Sequence, residues 1–310
     1  TIFPLFLFIA GISFPFSLAK QREKGIGERS IYTKVIRRGL TLVALGLVYN
    51  GLFNLDFATL RLPSVLGRIG LAWMFAAMLF IRFGIRTRIA IAAGILVGYG
   101  LLLQFVGAPD AAGAGPLTEA GNIVGYIDRT IMPAHLYGNR GFDPEGLLST
   151  LPAIVTAMLG MFTGEFVRRS EEQISGSRKA LRMAAGAAVL LVLALCLDPL
   201  QPVNKKLWTP AFVFAAGAYS LGMFALFYYI IDVRQWRRWS YFFQVIGLNS
   251  ITIYMLQRIV RVSYTSEFFF GGLASKFSPE IASVIFSAGY VTVCWLLLRF
   301  LDRKKIYLKV

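Results

Sequence analysis

Nine apolar runs follow one another along this chain, at about 1–19, 39–55, 64–83, 88–107, 147–167, 182–198, 209–231, 241–257 and 280–300. A helix needs roughly 17–25 predominantly apolar residues to cross the hydrocarbon core of a bilayer. A buried helix of a soluble protein imitates one such run, but nine in succession exceed what one soluble core accommodates. Several runs are short or interrupted by Gly and Pro, which bundled membrane helices tolerate because neighbours satisfy the freed backbone groups. The expectation is therefore an all-α, polytopic transmembrane helix bundle of about nine spans, read as a single domain over 1–310. Composition agrees: 56% of the 310 residues are hydrophobic and 15% charged, against about 25% charged in soluble domains.

The chain is strongly basic, with 32 Lys and Arg against 16 Asp and Glu. Where the excess lies decides between a nucleic-acid binder and a membrane protein. The connections 20–38, 82–88, 168–182 and 232–239 and the tail from Arg299 carry 23 of the basic residues. Seven acids accompany them: Glu23, Glu28, Glu165, Glu171, Glu172, Asp232 and Asp302. The alternate connections hold nine basic and nine acidic residues, so the whole net charge of +16 falls on one side. By the positive-inside rule that side is cytoplasmic. With nine crossings Thr1 then starts outside and Val310 ends inside. The basic residues are dispersed over short loops, which speaks against nucleic acid as a partner; membrane lipid is the partner the pattern implies. Thr1-Ile-Phe-Pro reads as the middle of a longer chain, and at least one further N-terminal helix is expected before it.

The connection 108–146 is the longest, and loops of this length are usually functional or disordered. It contains Asn122-Ile-Val-Gly-Tyr-Ile-Asp128-Arg129, then His135-Leu-Tyr137, then Asp143-Pro-Glu145-Gly146. His135, the only histidine, has the chemistry of a general acid or base, or packs the loop as a structural element. Asp143-Pro-Glu145 has the pattern of an ordinary helix start, with Asp143 as N-cap and Pro at the first helical position. That accounts for Asp143 better than for Glu145, whose carboxylate at a helix mouth also suits binding or deprotonating an amine. Asp128 and Arg129 are either an ion-paired turn or a substrate contact. Arg61 and Arg68 flank Pro63, and Arg68 lies within an apolar run, where an ionisable group points to function or snorkels to the interface. Asn204-Lys205-Lys206-Leu-Trp208 places an interfacial Trp beside lysines, which an aromatic belt alone explains. Asn249 is a polar residue inside a span, where interhelical hydrogen bonding is the plain reading. Cys196 and Cys294 lie in apolar runs, with no metal-ligand spacing and no disulfide framework.

Taken in order, these motifs resemble the membrane-embedded heparan-α-glucosaminide N-acetyltransferase family, which has lysosomal and bacterial members. The resemblance rests on Phe3-Pro-Leu-Phe-Leu-Phe-Ile-Ala-Gly11-Ile-Ser13, Arg61-Leu-Pro63-Ser-Val-Leu-Gly-Arg68-Ile-Gly70 and Gly125-Tyr-Ile-Asp128-Arg129. It continues through His135-Leu-Tyr137, Asp143-Pro-Glu145-Gly146, Pro202-Val-Asn204-Lys205-x-Leu-Trp208, Asn249-Ser-Ile and Arg303-Lys-Lys-Ile306. It implies transfer of the acetyl group of cytosolic acetyl-CoA, as co-substrate, to the amine of an amino sugar across the membrane, without a metal. The catalytic residues it implies here are Glu145, Asp143 and His135, with the family's main catalytic histidine expected upstream of Thr1. Arg61, Arg68, Asp128, Arg129, Asn204, Lys205, Trp208 and Asn249 are the implied substrate-binding residues. A homodimer and a bacterial inner membrane are the expected assembly and location. Gln257 and Arg258 depart from the family's acidic pattern after Tyr254, which leaves the acceptor open. Two other functions compete: an amino-sugar or small-molecule transporter using the same intramembrane polar residues, and a non-catalytic membrane subunit.

Overall fold

The computed structural model describes residues 2–308 apart from 112, 140 and 171. Thr1, Arg140, Glu171, Lys309 and Val310, all counted in the charge and topology reading, lie outside the described residues. Among the described residues the regular structure is helical, with one isolated bridge between Gly107 and Asn122. The helices cluster into two compact units, Thr1–Val233 and Arg234–Val310.

The first unit holds α1 (Ile2–Glu23), α2 (Glu28–Tyr49), α3 (Val65–Arg82) and α4 (Ile85–Phe105), then a short α5 (Ile123–Ile131) in the long connection. It continues with α6 (Thr150–Val167), α7 (Gly176–Leu197) and α8 (Pro210–Tyr228), the last prolonged by a π-helical turn over Tyr229–Val233. The second unit holds α9 (Tyr241–Leu248), α10 (Ser250–Ile259), α11 (Val262–Ala274) and α12 (Pro279–Arg303).

Seven helices among the described residues are long and apolar enough to span a membrane: α1, α3, α4, α6, α7, α12 and α8 with its π turn. The chain is a polytopic all-α membrane protein. Two of the nine expected runs take another form. The run 39–55 belongs to α2, which starts eleven residues earlier and ends at Tyr49, before Gly51 turns left-handed at φ 104°. Its buried stripe Ile31, Val35, Gly39, Leu42 and Gly46 repeats every three to four residues, so one face packs on α3 while the charges occupy the others. The run 241–257 is cut at Asn249 into α9 and α10.

Close packing in the first unit is made by glycines. A Cβ on Gly160 would lie 2.0 Å from the Phe8 carbonyl oxygen, and one on Gly164 2.2 Å from that of Ile12. Only the small-xxx-small pattern of α6 lets it lie this close along α1. Consecutive long helices alternate in direction. At one end Arg88, at the start of α4, pairs with Glu165 near the end of α6 at 3.0 Å, and Arg168 donates to the Pro15 carbonyl at 3.2 Å. The buried Lys179 amine caps the end of α6, donating to the Val167 carbonyl at 2.9 Å and to that of Arg169. The opposite end gathers the start of α1, the approach to α3, the long connection and the 202–209 loop. That end carries the candidate site.

Candidate functional site

The site is built on the turn 143–149, between α5 and α6. The helix-start reading of Asp143-Pro-Glu145 needs correction: α6 begins at Thr150, and Asp143 caps no helix. Its fully buried carboxylate instead accepts from the backbone N–H of Tyr137 at 3.0 Å and of Glu145 at 2.9 Å. The same carboxylate receives a bidentate pair from Arg61, Nε to Oδ2 at 2.8 Å and Nη2 to Oδ1 at 2.6 Å. Arg61 Nη2 also donates to Glu145 Oε2, and the guanidinium lies 4.7 Å from the Tyr137 ring centroid. Two carboxylates thus share one arginine, in the fork geometry that only a guanidinium offers. Partial burial pulls the Arg61 pKa down, but the hydrogen bonds and charges of Asp143 and Glu145 outweigh it and the net shift is upward. Arg61 itself is held by Asn50, whose Nδ2 donates to the Arg61 carbonyl at 2.8 Å and the Pro63 carbonyl at 2.9 Å.

Arg68 projects from the first turns of α3, after Ser64 has capped the helix by accepting from the Gly67 N–H at 2.9 Å. It is buried, which excludes the snorkelling reading. Its Nη2 donates to the Gly146 carbonyl at 3.3 Å and to Ser149 Oγ, and its guanidinium lies 4.8 Å from the Trp208 ring centroid. Across Gly146 sits Asp128, completely buried, with Oδ1 accepting from the Leu147 N–H at 3.0 Å and Oδ2 without a partner. Gly146 is required there, since a Cβ would overlap Asp128 Oδ2 at 1.8 Å. Burial pushes the Asp128 carboxyl up to about 6, and the Asp143 charge adds to this while the Leu147 N–H and Arg68 oppose it.

The structure places the remaining expected residues around this cluster and, for Asn249, in the second unit. Arg129 does not pair with its neighbour Asp128. It bonds Asp110 at 2.7 and 2.9 Å and the Gly141 carbonyl at 2.5 Å, tying the long connection to itself. His135 Nδ1 lies 2.7 Å from the Leu60 carbonyl, and Leu62 N–H donates back to His135 at 3.2 Å, so this residue clasps the connection to the approach to α3. Asn204 Oδ1 accepts from the Lys206 N–H at 2.8 Å, an Asx turn that shapes the 204–208 loop. That loop ends on Trp208, whose φ of 53° is a left-handed conformation rare for a bulky residue. The strain holds the indole beneath Arg68, with Nε1 donating to Thr156 Oγ1 at 3.3 Å. Lys205 lies over the Phe3 ring at 5.2 Å, and its exposed neighbour Lys206 pairs with Glu119. Asn249 stands in the second unit, nearly fully buried; its Nδ2 donates within its own segment to the Val245 carbonyl at 3.3 Å and its Oδ1 has no partner. Gly146, Ser149 and Asn50 complete the cluster, and of these the sequence motifs contain only Gly146. A lone Ser or Asn at the edge of an apolar run carries no pattern that marks it.

Two neighbouring cavities open on this end. One, of about 580 Å³, is lined by Asp110, Glu119, Arg129, Phe142, Pro144 and Lys206 among others, and the second, of about 590 Å³, by Phe142, Pro144, Asn204, Lys205 and Leu207 among others. A narrower cavity runs between Phe3, Leu7, Arg68, Glu145, Lys205 and Trp208. Among the described residues no group of three or more His, Cys, Asp or Glu is placed to hold a metal ion.

Comparison with known proteins then supplies the decisive observation. The whole chain matches human heparan-alpha-glucosaminide N-acetyltransferase at 23% identity, and its mouse counterpart at 24%. Along its whole length the chain is similar to these two N-acetyltransferases. It spans about half the length of these relatives, 54% of each. No family model matches it. The match covers every residue of the cluster from Arg61 to Trp208.

Proposed function

We propose that this protein is a transmembrane acetyltransferase, moving the acetyl group of acetyl-CoA from the cytoplasmic side to the amine of a glucosamine-type sugar on the other side. The observation that carries this reading is the match of the entire chain to N-acetyltransferases named for a glucosaminide acceptor. The geometry is compatible with it. A thioester is already activated, so the difficult requirement is removal of a proton from the attacking amine. Glu145, part-buried and facing a cavity, is the proton acceptor in this reading. Asp143 and Arg61 hold it in place, and the pairs Asp110–Arg129 and Glu119–Lys206 frame the vestibule where the sugar arrives.

On the basic end, Arg82, Arg86, Arg169 and Arg178 are exposed, whereas Arg88 and Lys179 are committed to Glu165 and to the end of α6. The exposed set attracts the anionic nucleotide of the donor. The orientation that follows puts the start of α1 and the long connection outside and the end of α12 in the cytoplasm. A bacterial inner membrane and a homodimer complete the proposal.

The test uses the protein in proteoliposomes with acetyl-CoA labelled in the acetyl group and a panel of amino sugars. Labelled N-acetyl sugar is the expected product. Uptake of free sugar with no acetylated product overturns the enzyme reading in favour of a transporter.

A further inference from the structure

The two arginines of the outer end do different work. Arg61 commits Nε and Nη2 to the two carboxylates. Among the described residues Arg68 makes no ion pair; Nη2 is used on Gly146 and Ser149, and Nε and Nη1 have no hydrogen-bond partner although the residue is only 4% exposed. Bare donors on a buried cation are costly, and such groups call for an explanation. The surroundings say what the donors suit. Arg68 lines the narrow cavity together with the apolar side chains Phe3, Leu7, Val65 and Ile69, the Trp208 ring and the carboxylate-bearing Glu145. The free volume, about 10 Å³, is that of a single small atom group. A phosphate or sulfate does not fit, and Glu145 in the same wall repels a full anion. A neutral carbonyl oxygen, which gains negative charge only during reaction, meets both conditions.

We propose that Arg68 is a catalytic residue, one of whose bare donors, Nη1, receives the carbonyl oxygen of the transferred acyl group and stabilises the oxyanion of the tetrahedral intermediate. The inference rests on the acetyltransferase reading and adds the residue that carries the developing charge. An amine nitrogen attacks the thioester carbonyl carbon, and the C=O π pair moves to oxygen, where the Nη1–H and the guanidinium charge hold it. The proton of the attacking nitrogen passes to Glu145. On collapse the C=O bond re-forms and the C–S bond breaks, its electron pair leaving with sulfur. The thiolate takes the proton, giving amide and free thiol. The same oxygen needs the same donor whichever nitrogen attacks. Trp208, held in its left-handed conformation, fixes the guanidinium plane from below, so the donors are oriented before the charge appears.

The test pairs kinetics with spectroscopy on the full chain in nanodiscs. Arg68→Gln is expected to lower kcat by about 100–1000-fold, the scale of a lost oxyanion donor, with acetyl-CoA binding changed by about threefold or less. Arg68→Lys recovers part of the loss, as a point charge without the fork. The carbonyl stretch of acetyl-CoA labelled with ¹³C at the acyl carbon is expected at lower frequency when bound to the unmodified protein than in water. In Arg68→Gln the shift disappears. An unmodified enzyme that acetylates sugar while its bound carbonyl shows no downward shift overturns the inference alone, as does full turnover by Arg68→Gln. The spectroscopic arm decides even where the variant fails to fold. Failure of the unmodified protein to bind acetyl-CoA or acetylate any amine removes the acetyltransferase reading and the inference together.

Discussion

At the scale of single residues, the cluster around Asp143 is a set of buried charges that stand or fall together. Asp143 has no exposure and three kinds of donor, so removing Arg61 leaves an uncompensated buried carboxylate. Breaking a pair of this kind from one side costs about 3–5 kcal/mol. Arg61→Ala is therefore expected to lower thermal stability in detergent markedly, while Arg61→Ala combined with Asp143→Asn recovers part of the loss. Glu145→Gln keeps the volume and one acceptor, and is expected to cut turnover about 100-fold or more with donor binding unchanged. Equal loss of turnover and binding in steady-state kinetics would assign Glu145 a structural role.

Asp128 gives a pH signature with a defined sign. Its folded pKa of about 6 lies above the ordinary value of 3.8. The folded state therefore holds this proton more tightly than the unfolded one, and stability falls as pH rises from about 4 through about 6. Thermal unfolding followed from pH 4 to pH 8 is expected to show the melting temperature dropping across that window. Asp128→Asn, neutral throughout, removes this contribution to the drop; an identical pH profile in the variant rules out Asp128 as its source.

At the scale of elements, two features decide the shape of the site end. The α1–α6 seam depends on Gly11, Gly160 and Gly164, because the carbonyls of Phe8, Ile12 and Ala157 occupy the space a side chain needs. Gly160→Ala forces the helices apart and is expected to cost about 1–3 kcal/mol, read as a lowered melting temperature. The 204–208 loop is the second feature. Its Asx turn at Asn204 and the link from the Asn204 N–H to Thr209 Oγ1 at 3.1 Å maintain the φ of 53° at Trp208. Asn204→Ala is expected to relax Trp208 from beneath Arg68 and lower turnover about tenfold, near the value of one lost hydrogen bond. An Asn204→Ala protein with unchanged indole fluorescence and unchanged rate would show that the turn is dispensable.

At the scale of the whole molecule, seven helices among the described residues have the length and composition of membrane spans, and the charge excess gathers at one set of connections. The proposed orientation makes Arg178 and Lys206 markers of opposite sides. In a background with Cys196 and Cys294 replaced, Arg178→Cys is expected to react with an impermeant maleimide only from the cytoplasmic face, and Lys206→Cys only from the other. Both labelled from one side would overturn the orientation.

The sequence by itself determined the class of fold, because uninterrupted apolar length leaves a backbone in lipid no option but the helix. Motif order also picked out residues that the fold gathers: Arg61, Arg68, Asp128, Asp143, Glu145 and Trp208 all stand at one end of the first unit. The sequence did not show that α2 begins at Glu28 or that 241–257 breaks at Asn249, since periodic burial and a local φ/ψ change leave run length almost untouched. Roles were decided only by tertiary structure. Arg61 and Arg68 are alike as letters, and so are Asp128 and Asp143, yet one arginine gives Nε and Nη2 to two carboxylates while the other keeps two bare donors. Arg129 reaches Asp110 and turns away from its neighbour Asp128. The physical reason is that a charge's function depends on which partners it meets and how dry the meeting place is. Both are set by residues tens of positions away in the chain, brought together only when the helices pack.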